Sequence, residues 1–114
     1  RSLSLYWAPH LYVFAYDAEV NGSSLRARMF APALGIEEDP ATGAAATALA
    51  GYLGVRDGRS DATLRWRIEQ GFEMGRPSIL HVEADKRDGA IISIRVGGAS
   101  VLVSEGTMEV PDIA

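Results

Sequence analysis

A run of small residues behind an acidic turn and a proline is the feature that most constrains the fold of this chain. Residues 41–48 contain only Ala, Thr and Gly, and they follow Asp39 and Pro40. Asp39 suits a helix N-cap and Pro40 suits the first helical position, so the pattern predicts a helix from Pro40 to Leu53 that stops at Gly54. Small side chains permit close approach by other backbone or by a ligand. The start of such a helix is a ready site for a carboxylate or phosphate.

Composition narrows the class of protein. The chain has 114 residues, with 11 basic and 15 acidic side chains and a formal net charge of −4. This length fits one domain, and the charge argues against nucleic acid or an anionic membrane as a partner. With no cysteine, disulfides and thiolate catalysis are excluded, and a cytoplasmic, reducing location is expected. We find no 18-residue apolar run, so we expect no membrane span, and the sequence contains no metal-binding motif and no phosphate-binding glycine loop.

The rest of the chain has the alternation of β-strands. Residues 11–17 and 25–30 predict a hairpin around Asn21-Gly22, and residues 31–38 read as a loop leading to the helix. The predicted helix is apolar on nearly every face, which favours a position enclosed within the domain. Later strands are expected around residues 64–69, 80–85, 92–96 and 101–104, with a break at 70–77 and turns at Asp88-Gly89 and Gly97-Gly98. The sequence therefore predicts an α+β fold, with a mostly antiparallel sheet around one helix.

Two segments, in order along the chain, carry a family resemblance. The first joins residues 28–32 (RMFAP), 35–36 (GI) and 38–43 (EDPATG), and the second is residues 70–78 (QGFEMGRPS). Together they resemble the motifs of the PhzF-like phenazine biosynthesis family. The similarity covers residues 11–114, as the C-terminal domain of that family, and leaves residues 1–10 unplaced.

The resemblance implies the diaminopimelate epimerase-like fold, in which each of two domains wraps a curved, mostly antiparallel sheet around a central helix. It implies a cofactor-independent isomerase that moves a proton on a small carboxylate. In the family, the general-base glutamate and a histidine belong to the N-terminal domain, which these residues do not include. The partner required is therefore a complementary N-terminal domain or a second copy of the chain in a homodimer.

The resemblance also assigns site residues. Asp39 would assist proton transfer as the catalytic residue, and the backbone around the helix start would hold the substrate carboxylate. The family usually has serine after Thr-Gly, where this chain has Ala44. The substrate-binding residues implied are Thr42, Gly43, Ala44, Gln70 and Gly71.

Simpler interpretations remain open at this point. Asp39 would serve equally as a plain N-cap, Glu37 is explained by the helix dipole alone, and Glu38 fits either role. His81 reads as an exposed strand residue, whereas Trp7 and Trp66 read as core residues. The alternative function is a catalytically inert remnant, or a structural domain that binds a small carboxylate.

Overall fold

The structure, a computed structural model, describes residues 7–17, 22 and 24–113. Within that part, one helix packs on a six-stranded sheet. The strands are β1 (Leu11–Ala15), β2 (Leu25–Ala31), β3 (Ile36–Asp39), β4 (Ala62–Gln70), β5 (Ser78–Arg87) and β6 (Ala90–Gly98), and the helix is α1 (Gly43–Arg56).

The sheet is open and mostly antiparallel, which confirms the predicted α+β class. Its order is β1-β2-β4-β5-β6, with β3 paired to the end of β2, and the β2–β4 pair is parallel. In the β1–β2 pair, Leu11 lies opposite Phe30 and Ala15 opposite Arg26. Asn21 lies outside the described residues, so the turn at Asn21-Gly22 stays a prediction.

The core forms between one face of the sheet and one face of α1. Alternate strand residues point towards the helix, because successive side chains of a strand lie on opposite faces. Burying each Leu or Ile contributes roughly 1.5–3 kcal/mol. Trp66 packs against this core as predicted, but Trp7 is 98% exposed, so its assignment to the core is wrong. The buried cluster is Leu25, Ala27, Ala46, Leu49, Ala50, Ile68, Leu80 and Val82.

The expected enclosure of the helix is wrong for the described residues. Ala46, Leu49 and Ala50 are buried, whereas Tyr52 and Val55 are exposed. The sheet covers one side of α1, and the small residues of the helix let β5 and β6 pack closely there. The side of α1 that faces away from the sheet is also apolar, but its residues lie at the surface of the described part of the domain.

The predicted N-terminal boundary of the helix is also wrong. Asp39 is the last residue of β3, and α1 begins at Gly43 with Thr42 as its N-cap. A residue before proline avoids the helical region, which keeps Asp39 extended. The Gln70 side chain then bonds to Asp39 O and Thr42 N, and so holds the intervening turn out of the helix.

The predicted C-terminal boundary is wrong as well, because Gly54 lies inside the helix. A Cβ on Gly54 would lie 2.7 Å from Ile91 Cδ1, so this glycine serves the packing of α1 against β6. The helix continues through Arg56 and ends at Asp57. Local sequence signals a stop at Gly54, but the packing partner comes from a distant strand.

Of three loops or turns predicted from the sequence, the structure changes two and confirms one. Residues 31–38 contain a 3-10 turn, Pro32–Leu34, and most of β3. Gly97 and Gly98 extend β6, paired with His81 and Leu80, and residues 99–113 have no regular structure, so the predicted final hairpin is wrong. The turn at Asp88-Gly89 is confirmed, with φ of 50° and 79°. No helix in the described ranges combines the length and the apolar character needed to cross a membrane.

Candidate functional site

Asp39 and Thr42 meet where β3 gives way to α1. The Thr42 hydroxyl donates a hydrogen bond to Asp39 Oδ2, and neither side chain bonds to the backbone N–H groups of the first helical turn. Asp39 therefore does not act as the N-cap that the sequence suggested. Its carboxylate lies beside the start of the helix and leaves the helix end open.

The Gln70 side chain bonds to both residues of this turn, Asp39 and Thr42. Its side chain is fully buried at the end of β4. Its amide Nε2 donates to Asp39 O at 2.8 Å and to Thr42 Oγ1 at 2.9 Å, while its Oε1 accepts from Thr42 N at 3.3 Å. These bonds give the buried Gln70 amide a supporting role in the turn. That Gln70 also contacts a substrate stays a prediction.

Tyr12 is a member of the cluster that the sequence did not single out. Its hydroxyl, on β1, donates to Gln70 Oε1 at 3.2 Å. Burial raises the pKa of Tyr12 to about 12, so the phenol keeps its proton at neutral pH. No local motif marks Tyr12. Its place follows from the strand order, which brings β1 and β4 to either side of β2.

The start of α1 keeps free backbone donors. The first bond within the helix joins Ala46 N to Thr42 O at 3.1 Å, and Thr42 N is taken by Gln70. For the amides of Gly43 and Ala44, the described part of the chain provides no acceptor, as expected for the first turn of a helix. These donors carry the positive end of the helix dipole, so the position can hold an anion.

A cavity of about 680 Å³ borders this end of the helix. Ala41 and Gly43 form part of its wall, and Arg67, Ser78 and His81 line it from β4 and β5. His81 is exposed, as the sequence predicted. Gly43 at the helix start and the cationic Arg67 both line this cavity, so it suits a small ligand with negative charge.

The two motif glycines have different roles. Gly71 has a φ of 82°, and a Cβ there would clash first with Arg76 O of the same loop and would also lie 2.8 Å from Pro40 O, so close backbone packing on both sides requires glycine. A Cβ on Gly43 would lie 3.6 Å from Val96 Cγ1, which is an ordinary contact. Packing explains Gly71 without a ligand, whereas the absence of a side chain at Gly43 leaves open access to the helix start.

The loop after Gln70 is held against β2. Arg26 Nε bonds to Glu73 Oε1 at 2.8 Å, and the Arg26 guanidinium lies 5.9 Å from the centre of the Phe72 ring. Gly71 and Gly75 close the loop with backbone bonds to neighbouring residues. The second motif therefore packs against the first motif and holds it in place, through the bonds of Gln70 and the close approach of Gly71 to Pro40.

Glu38 is engaged in an ion pair. Arg28 Nε and Nη2 donate to the two Glu38 carboxylate oxygens at 3.1 and 2.8 Å. These hydrogen bonds from Arg28 hold the pKa of Glu38 below its usual value. The open question about Glu38 is thus answered by a pairing between β2 and β3. Among the described residues, no three His, Cys, Asp or Glu side chains form a group that could bind a metal ion.

The fold and the site together define an α+β domain with a carboxylate beside a helix start whose first amides have no acceptor among the described residues. The family model for phenazine biosynthesis-like proteins, PhzC-PhzF, matches residues 7–106. The chain belongs to this family, and its domain is isomerase-like.

Curated relatives agree with this assignment. An uncharacterized isomerase of Mesorhizobium japonicum is 39% identical over 97 residues, covering 85% of this chain and 32% of the relative. A trans-2,3-dihydro-3-hydroxyanthranilate isomerase of Pseudomonas chlororaphis is 40% identical over 87 residues, covering 76% and 31%. The enzyme of that name from Pseudomonas aeruginosa is 38% identical over 85 residues, covering 75% and 30%. The chain spans about a third of the length of these relatives.

Proposed function

We propose that this chain forms one wall of a proton-transfer site for a small carboxylate, in an isomerase of the diaminopimelate epimerase-like fold. The observation that carries the proposal is the pair of amides at Gly43 and Ala44, which have no acceptor among the described residues, at a helix start where Gly43 lines a cavity and the N-cap Thr42 bonds to the Asp39 carboxylate. The family assignment and the names of the relatives support an isomerase.

Each group at the wall has a distinct task. The amides of Gly43 and Ala44 bind the substrate carboxylate, since two N–H donors at a helix start favour an anion. Asp39, held by Thr42, lies next to that anion and assists proton transfer at a neighbouring carbon. This chemistry uses side chains and backbone alone, so the reaction is cofactor-independent.

The opposite wall provides the general base. It comes either from a complementary domain or from a second copy of this chain. In a symmetric dimer, two Asp39 carboxylates would face each other across one cleft. Two close carboxylates cannot both ionise easily, so one would hold a proton and act as acid while the other acts as base.

Molecular mass in solution and deuterium uptake together test this proposal. Light scattering over a range of concentrations gives the fraction of dimer. In the same samples, uptake of solvent deuterium into trans-2,3-dihydro-3-hydroxyanthranilate measures proton transfer. We expect no uptake by the monomer, and a rate that rises with the fraction of dimer. Uptake by a strict monomer would contradict the need for an opposite wall.

A second candidate function is carboxylate binding without catalysis. It is favoured by Ala44, which has no hydroxyl at the position where the family usually has serine. The Ala44→Ser variant separates the two, since it adds a donor at an exposed position of the first helical turn. A binding domain would gain affinity for a carboxylate and show no deuterium uptake at any dimer fraction.

A further inference from the structure

The bonds around Gln70 form a directed chain from Tyr12 to Asp39. We infer that Tyr12 and Gln70 are positioning residues that turn the Thr42 hydroxyl proton onto Asp39 Oδ2 and leave Asp39 Oδ1 as the oxygen that exchanges a proton with substrate. The inference rests on the proposed function for the identity of the reacting group. The direction of the bonds rests on the structure alone.

Two backbone groups determine which way the Gln70 amide faces. Thr42 N–H can only donate, and Asp39 C=O can only accept. They lie 3.3 Å from Oε1 and 2.8 Å from Nε2 of Gln70. Flipping the amide would set donor against donor and acceptor against acceptor in a fully buried place, which is unfavourable.

This orientation determines the direction of the next bond. The second proton on Gln70 Nε2 points to Thr42 Oγ1, at 2.9 Å, so the threonine oxygen is an acceptor there. The hydroxyl proton of Thr42 is then free to donate, and its acceptor is Asp39 Oδ2. Tyr12 adds a donor to Gln70 Oε1, which reinforces the same polarity along the chain.

The consequence falls on the two Asp39 oxygens. Oδ2 accepts from Thr42, while Oδ1 has no hydrogen-bond donor among the described residues. One carboxylate oxygen is therefore anchored and the other is available. Because the anchor limits rotation about the side-chain bonds, Oδ1 is held in one direction relative to the open amides of α1. Such orientation is what a proton-transfer group needs, since small misplacements slow the reaction.

The side-chain rotamer of Asp39 tests the inference without any ligand. Three-bond couplings from backbone N and C′ to Asp39 Cγ report whether χ1 holds one rotamer. We expect one dominant rotamer in the unaltered chain and in Thr42→Ser, which keeps the hydroxyl. In Thr42→Val, which has a similar shape and no hydroxyl, the population of that rotamer should fall to about one-half, because staggered wells become accessible.

Gln70→Glu gives an independent reading, because it removes both donors at nearly constant volume. The same fall in rotamer population is expected, with the amide shifts of residues 46–53 unchanged. If this variant does not fold, because of its buried charge, Thr42→Val decides the matter. A single Asp39 rotamer in Thr42→Val, with the helix intact, would overturn the inference.

This experiment separates the inference from the proposed function. The rotamer populations are measured in the free protein, whereas carboxylate binding and deuterium uptake are measured with added ligand. A rotamer change without any carboxylate binding would preserve the hydrogen-bond chain and refute the proposed function. Carboxylate binding without a rotamer change would do the reverse.

Discussion

The two ends of α1 are finished in opposite ways. At the C-terminal end, the buried Lys86 donates to Asp57 O at 2.8 Å, and Asp57 N donates to Leu53 O at 3.0 Å. Arg59 binds the Asp57 carboxylate at 2.9 Å and holds the pKa of that group well below its usual value. At the N-terminal end, the amides of Gly43 and Ala44 find no acceptor within the described ranges.

The difference in hydrogen bonding between the two ends of α1 indicates which end suits an anionic ligand. Both ends follow the helix dipole, with cations at the C-terminal end and donors exposed at the N-terminal end. The C-terminal end is closed by the protein's own side chains. At the N-terminal end, Gln70 bonds to the turn that precedes the helix, whereas the first helical amides have no acceptor among the described residues. A helix start whose first amides lack an acceptor in the described ranges is suited to bind an anion.

The largest expected effect is on the free energy of unfolding, from a change at Gly71 in the loop that packs against the turn before α1. Gly71→Ala adds a Cβ that would clash with Arg76 O of the same loop and would lie 2.8 Å from Pro40 O of the turn, at a residue with φ of 82°. We expect a loss of about 3 kcal/mol in the free energy of unfolding, measured by urea denaturation. Gly75→Ala is the matched control, with φ of 69° and open space around the added Cβ. It should cost about 1 kcal/mol. Equal losses would show that the close backbone contacts around Gly71 are unimportant.

A smaller effect is expected at alkaline pH, from Tyr12 behind the same end. Burial raises its pKa to about 12, so the folded protein binds this proton more tightly than the unfolded chain, where the pKa is about 10. The contribution is complete below pH 10 and is lost as the pH rises towards 12, by on the order of 2 kcal/mol. Tyr12→Phe should remove this loss, whereas Tyr16→Phe, at an exposed residue, should retain it. Identical pH profiles for the two variants would argue against a buried Tyr12 phenol.

The smallest effect should come from the closed end. Lys86→Met removes the ammonium bond to Asp57 O and the cation near the helix C-terminus. We expect a loss of about 1 kcal/mol, because the cost of burying the ammonium is removed together with its bond. Arg87→Met, at an exposed neighbour, is the control. Carboxylate binding at the other end should be unchanged in both variants. Weakened binding in Lys86→Met would break the comparison between the ends.

Sequence patterns predicted the class of fold well, because alternation along β4, β5 and β6 is strong and local. They misplaced both ends of α1 for a physical reason that is not local. Gln70 and Ile91, distant in sequence, decide where the helix starts and why Gly54 lies inside it. The exposed side of α1 could not be foreseen either, because small apolar residues suit a buried face and an exposed one.

The candidate site likewise contains residues that local motifs identify and residues whose role depends on the tertiary structure. Asp39, Thr42 and Gly43 were found from a motif, because they are adjacent in sequence. Gln70 was found from the second motif, but its support of the turn was not foreseen, since only the structure shows that its side chain is buried there. Tyr12 was missed, because its part in the site depends on strand order. Motifs thus locate residues, whereas burial and hydrogen-bond direction assign what each one does.

The central claim is that the open end of α1 binds a carboxylate through the amides of Gly43 and Ala44, and a titration with benzoate tests it most directly. In the unaltered chain, these two amide signals should shift and saturate at about 10 mM benzoate, and uncharged benzamide should leave them unmoved. Ala44→Pro removes one donor at a position where a helix tolerates proline, so it should weaken benzoate binding by about fivefold or more while α1 persists. Unmoved Gly43 and Ala44 signals, or equal benzoate affinity in Ala44→Pro, would contradict the account.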